Sequence, residues 1–193
     1  TVTALRGCVT DVVHSAASIA FSDSQQNHRT NERGMRHLLQ TLPAVARFFH
    51  VSTAYVGGLV RSFKESDLDV GQQFRNDYER SKFEVECFVR EHFAGSSGAL
   101  TVLRPSIVIG EEGSGKTYQF LTLYKVLRMM SAFARRHPGD AFSLTYEPDA
   151  TQNYIPVNRL ADMIEEVVLQ PHCWGKTYHL VDEHPPTNRQ MRA

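Results

Sequence analysis

Residues 76–93, NDYERSKFEVECFVREHF, decide how the rest of the chain is read. Their spacing predicts a helix over 77–94. Asn76 is a good capping residue, and Glu79 follows it three positions on, the spacing of a capping box. Tyr78, Lys82, Val85, Val89 and Phe93 recur at helical intervals and share one face. A phenol and an ammonium at i and i+4 lie one above the other. An ammonium so placed lowers the phenol pKa from its reference of about 10, which suits a tyrosine acting as general acid or base. Taken alone, the pair is more often a core tyrosine beside a solvated lysine, so the surroundings must decide.

Working outward, strand-like and helix-like segments alternate. DVVHSAA (11–17), RFFHVS (47–52), LTVLR (100–104) and KTYHLV (176–181) read as strands. Residues 28–41, 117–134 and 158–169 carry helical spacing, and 57–75 reads as a polar loop. Phe120, Leu123, Tyr124 and Leu127 form a stripe that reads as core. Strands alternating with helices imply an α/β, Rossmann-like, doubly wound parallel sheet covered on both faces.

Composition narrows the class. Lys plus Arg and Asp plus Glu are both 21, so the charge balance gives no reason to expect nucleic acid or an anionic membrane as partner. Cys8, Cys87 and Cys173 form no CxxC, which argues against a disulfide framework and against a zinc site. An odd thiol count suits a reducing compartment, and a cytoplasmic location is expected. No apolar run reaches the length of a membrane span.

Five strings in order, DVVHSAAS, NERG, HVSTAYVGG, YERSK and LTVLRPSIVIG, together with the later NYIPVNRLADMI, resemble the extended short-chain dehydrogenase/reductase family. HVSTAYVGG, NDYERSKFEVE and YHLVDEHPPT are most similar to thioester reductases and fatty acyl-CoA reductases, the male-sterility type. Sugar-nucleotide epimerases, dehydratases and hydroxysteroid dehydrogenases share the core strings and stand as alternatives. The resemblance implies NADPH, or NADH, as cofactor. It implies reduction of an acyl thioester, carried on coenzyme A or an acyl carrier protein, to an aldehyde or alcohol. It assigns Thr53, Tyr78 and Lys82 to catalysis and Asn31 to a water-mediated proton relay. A hydrogen bond at a helix start is the plainer role for Asn31. Cofactor contacts are implied for Ala16, Ala17, Ser18, Tyr78, Lys82, Pro105, Ser106, Ile107 and Val108, and a substrate cleft drawing on about 106–150. Ser52 is a weaker hydroxyl candidate than Thr53, and His14 reads as a satisfied core histidine.

One pattern points elsewhere. GEEGSGKT (110–117) matches G-x-x-x-x-G-K-[ST], the phosphate loop of nucleotide hydrolases. Glu111 and Glu112 would place two negative charges in a loop that has to cradle phosphates. The hydrolase reading also leaves HVSTAYVGG and YERSK unexplained. None of the 12 glycines forms the dinucleotide fingerprint that normally follows a first strand. The chain is therefore expected to be one partial reductase domain over 1–193, its catalytic half, which by itself binds NADPH poorly and is inactive.

Overall fold

The computed structural model describes residues 8–19, 24–42, 44–95, 99–117, 123–139 and 147–192. Strands β1 (Asp11–His14), β2 (Arg47–Val51), β3 (Ala99–Pro105) and β6 (Thr177–Leu180) form one parallel sheet in the order β1-β2-β3-β6. Strands β4 (Ile107–Ile109) and β5 (Tyr154–Pro156) make a separate parallel pair. The helices are α1 (Ser24–Asn27), α2 (Gly34–Thr41), α3 (Asp77–Ala94), α4 (Leu123–Arg136), α5 (Val157–Leu169) and α6 (Asn188–Arg192). A π-helical stretch, His28–Arg33, joins α1 to α2.

Alternation along β2 builds both layers. Phe48 packs with Met35, Leu39, Val85, Val89 and Phe93, which seats α2 and α3 on one face. Phe49 packs with Leu103, Leu180, Ile155, Leu160 and Val167, which seats α5 on the other. Successive strand side chains point to opposite faces, so two adjacent phenylalanines serve two cores. Between β2 and β6, β3 is buried from Thr101 to Pro105, as expected of a parallel strand covered on both sides.

Helix α3 spans the predicted residues. The Asn76 side chain caps it by accepting the Glu79 amide at 2.9 Å. The return bond of a capping box goes one residue astray, since Glu79 accepts the Arg75 amide at 3.0 Å. After β2 the chain turns through a 3-10 segment, Ala54–Gly57, into Gly58 at φ 58°. A β-carbon on Gly58 would lie 2.2 Å from the Gln73 carbonyl oxygen, so the return of the loop against this turn requires glycine.

Several predicted boundaries are corrected. The first strand ends at His14 rather than at 17, because the following residues run in the loop that Asn31 fixes. The helix predicted from 28 begins at Ser24 and passes through a π-stretch. The helix predicted over 117–134 is α4, Leu123–Arg136, and residues 118–122 lie outside the described part. No described residue of α4 is buried, and Leu127 is 49% exposed, so the stripe is not core; Phe120 lies outside the described residues. Strands β4 and β5 are not among the strands predicted. Three residues are too few for alternation to register.

Candidate active site

Three consecutive residues at the carboxyl end of β2 meet one stripe of α3. Tyr78 is hydrogen-bonded through its phenol to the Thr53 side chain. Lys82, one turn along, is 3% exposed and donates from Nζ to the Val51 carbonyl at 2.8 Å. Thr53 is buried in extended backbone (φ −156°, ψ 150°); its Oγ1 accepts the Tyr55 amide at 3.3 Å and donates to the Pro105 carbonyl at 3.4 Å. The expected hydroxyl, phenol and ammonium thus stand together, with the carboxyl end of β3 alongside.

Their electrostatics differ from the expectation. Burial pushes the Tyr78 phenol up to about 12, the Thr53 hydrogen bond only partly offsetting this and Glu79 adding to it. Burial holds the Lys82 ammonium down to about 8 against the attraction of Glu86. Desolvation outweighs what lowers the phenol, and the Lys82 ammonium gives its hydrogen bond to the Val51 carbonyl. A phenol raised in this way keeps its proton at neutral pH, the form needed by a proton donor.

Asn31 is not at a helix start. It is 3% exposed within the π-stretch and ties three segments together. Its Oδ1 accepts the Ser18 amide at 2.6 Å, and its Nδ2 donates to the Ser18 carbonyl at 3.1 Å and to the Ser81 hydroxyl at 3.0 Å. The loop after β1 is thereby fixed to α3 beside Lys82. Of the other predicted contact residues, Ser18, Pro105 and Ser106 are buried, Ala17 and Ile107 partly so, Ala16 exposed, and Val108 42% exposed on β4. The loops after β1, β2 and β3 converge at the carboxyl ends of parallel strands, where open α/β sheets bind ligands. Ser106 Oγ is buried there with no hydrogen-bond partner. An orphaned hydroxyl after β3, a buried ammonium and a protonated phenol are groups of the kind a nicotinamide riboside takes.

His14 is not the satisfied histidine expected. Its Nδ1 is buried without a partner, and its ring stacks on Phe48 and on His50, its partner in the sheet register. His50 is 0% exposed, with both ring nitrogens unpartnered. Burial and the Lys82 charge push His14 down to about 4 and hold His50 well below the usual histidine range.

The phosphate-loop reading fails on geometry. The Gly110 amide donates to the Tyr124 hydroxyl at 2.7 Å, and the Glu111 amide to the Lys116 carbonyl at 2.8 Å. The Glu112 amide reaches Asn158 Oδ1 at 2.9 Å, and the Gly115 amide the Glu111 carbonyl at 2.9 Å. The Glu111 carboxylate is itself hydrogen-bonded within the loop, by Ser114. Amides bonded to oxygens of the loop itself and of Tyr124 and Asn158 are not turned together toward an anion.

Residues 1–164 match the NAD-binding family described as Male sterility protein. The chain belongs to the male-sterility NAD-binding family of extended short-chain dehydrogenase/reductases. This male-sterility domain is 26% identical to a nonribosomal peptide synthetase of Aspergillus campestris, over 94% of the chain and 18% of the synthetase. It is similar to the crystal structure of the terminal R domain from a myxalamid PKS-NRPS pathway, with TM-score 0.75 and 26% identity, over 94% of this chain and 46% of that one. It shares the fold of a thiolation-reductase di-domain from an archaeal nonribosomal peptide synthetase, with TM-score 0.74 and 16% identity, over 93% of this chain and 39% of that one. The chain therefore spans less than half the length of each of these relatives. Among the described residues no helix is long and apolar enough to cross a membrane, and no cluster of His, Cys, Asp and Glu could hold a metal.

Sequence reading found Thr53, Tyr78 and Lys82 but passed over His50, Glu86 and Arg104. The signals were present: Glu86 continues the Tyr78–Lys82 stripe by one turn, and Arg104 interrupts an otherwise apolar strand.

Proposed function

We propose that this chain carries the catalytic residues of an NADPH-dependent reductase that takes an acyl thioester, held on a carrier protein or coenzyme A, to an aldehyde or alcohol. The observation that carries it is the hydrogen-bonded Thr53–Tyr78 pair over a buried Lys82, in a family member that resembles an R domain. The reduced nicotinamide, when bound, supplies the hydride. Lys82 and Ser106 would hold it, with Ala16, Ala17, Ser18, Pro105, Ile107 and Val108 lining its crevice. NADH is the alternative cofactor.

The chain's own groups act on the substrate oxygen. Thr53 donates a hydrogen bond to it as charge develops, and Tyr78 delivers its proton there from Oη. Lys82 restores charge balance as the phenol ionises, moving its hydrogen bond from the Val51 carbonyl toward the phenolate. The hemithioacetal so formed loses its thiol and leaves an aldehyde. Asn31 holds the β1 loop against α3 so that these groups stay in register. Residues from about 106–150 contribute to the acyl cleft.

Tyr78→Phe in the full-length protein tests this reading. Losing the proton donor costs about 100- to 10,000-fold in turnover. The Kd for NADPH should stay within about twofold, since the substitution removes one hydroxyl and leaves the ring and its packing in place. Turnover equal to that of the unaltered protein refutes it.

A further inference from the structure

The largest buried charges outside the Thr53, Tyr78 and Lys82 group are Glu86 and Arg104, both 0% exposed. The Ser52 hydroxyl donates to Glu86 Oε2 at 2.7 Å. Glu86 Oε1 accepts Arg104 Nη2 at 2.7 Å and Arg90 Nη2 at 2.9 Å. Arg104 continues into the loop after β2, with Nη1 donating to the Lys64 carbonyl at 3.2 Å and Nη2 to the Asp67 carbonyl at 2.7 Å. Its guanidinium lies over the Phe63 ring, 4.8 Å from the centroid. Burial pushes the Glu86 carboxyl up, but Arg104, Ser52 and Arg90 outweigh it and hold the group below its ordinary range, so the carboxylate is charged at neutral pH.

Stability does not account for this cluster. Desolvating buried charges costs several kcal/mol each, and well-packed apolar residues often serve as well. Geometry gives a better account. Positions 78, 82 and 86 lie in one line on α3. Tyr78 meets Thr53, Lys82 holds the Val51 carbonyl, and Glu86 holds the Ser52 hydroxyl. Three consecutive residues where β2 ends, Val51 to Thr53, are each gripped by one turn of the helix. The Ser52 amide is also fixed to β3, donating to the Leu103 carbonyl at 2.7 Å. The Glu86 contact adds a directional bond beside the reacting hydroxyl, where a slide of α3 along β2 would part Tyr78 from Thr53.

We infer that Glu86 is a positioning residue of this site: through the Ser52 hydroxyl it sets the register of α3 against the end of β2, and through Arg104 it ties that register to the loop at 63–67. The inference rests on the reading of Tyr78 and Thr53 as the groups that act on the substrate.

Ser52→Ala in the full-length protein tests it, because Glu86 keeps both arginines and the buried charges stay paired. A displacement approaching 1 Å costs on the order of 100-fold in rate, so a partial slip should lower kcat about tenfold. KM for NADPH should stay within about twofold, the thermal midpoint should fall by only the few degrees that one buried hydrogen bond to a charged group is worth, and Ser52→Thr, which restores the hydroxyl, should recover most of kcat. Unchanged kcat overturns the inference, as does a loss that vanishes when the assay is run well below the thermal midpoint or that Ser52→Thr leaves unrepaired. Tyr78→Phe measured alongside separates the two failures. An active Tyr78→Phe enzyme ends the reading of the site. An inactive one, beside a Ser52→Ala enzyme equal to the unaltered protein, ends only the role given to Glu86.

Discussion

Replacing Lys82 with Met should stabilise the fold while removing turnover. Lys82 is 3% exposed, and burial brings its ammonium from the ordinary 10.5 down to about 8. At about 1.4 kcal/mol per tenfold change in proton affinity, the fold disfavours the charged form by roughly 3 kcal/mol. Methionine fills similar space without that charge. The lost hydrogen bond to the Val51 carbonyl returns about 1 kcal/mol, which leaves a net gain of about 2 kcal/mol at pH 7. The pH dependence provides a second signature. Between about 8 and 10.5 the unfolded chain holds the Lys82 proton and the folded protein does not, so stability contributed by this group rises with pH. Tyr78, pushed up to about 12, and Cys87, pushed up to about 11, act in the opposite sense at the upper end of this range, because the unfolded chain loses those protons first. They are common to both proteins and cancel in the difference. Urea unfolding of Lys82→Met and the unaltered protein at pH 7, 8 and 10 is the assay. The advantage of the variant should shrink as pH rises. A variant less stable at pH 7, or a difference that does not change with pH, refutes the reasoning.

Mild acid should weaken the fold through two buried histidines. His14 is pushed down to about 4 and His50 lies well below 6.5, so between pH 6.5 and 4 the unfolded chain takes up protons that the folded one refuses, and stability falls as pH falls. A urea midpoint unchanged from pH 7 to pH 5 would contradict the burial of this pair. Lys116→Ala should leave NADPH-dependent turnover within about twofold, as an exposed substitution away from the chemistry does. A large loss of turnover in that variant would reopen the phosphate-loop reading of GEEGSGKT.

The local devices were legible in the chain. The Asn76 cap, the 78–82–85–89–93 stripe and the strands around Phe48, Val102 and Tyr178 depend on periodicity and capping, which act between residues a few positions apart. The family followed from strings that are themselves local. Thr53 beside Tyr78 came from that resemblance, and the hydrogen bond between them is a product of the fold. Sequence could not give the sign of the Tyr78 shift. It is set by how far the phenol is desolvated against what the Thr53 hydrogen bond returns, and both are decided across the β2–α3 interface. The His14–His50 stack depends on register between two strands, and the Glu86–Arg104 pair on a helix and a strand facing each other. Spacing along a chain fixes which side chains share a face. Only packing in three dimensions decides what that face meets, how dry it is and which charge survives there.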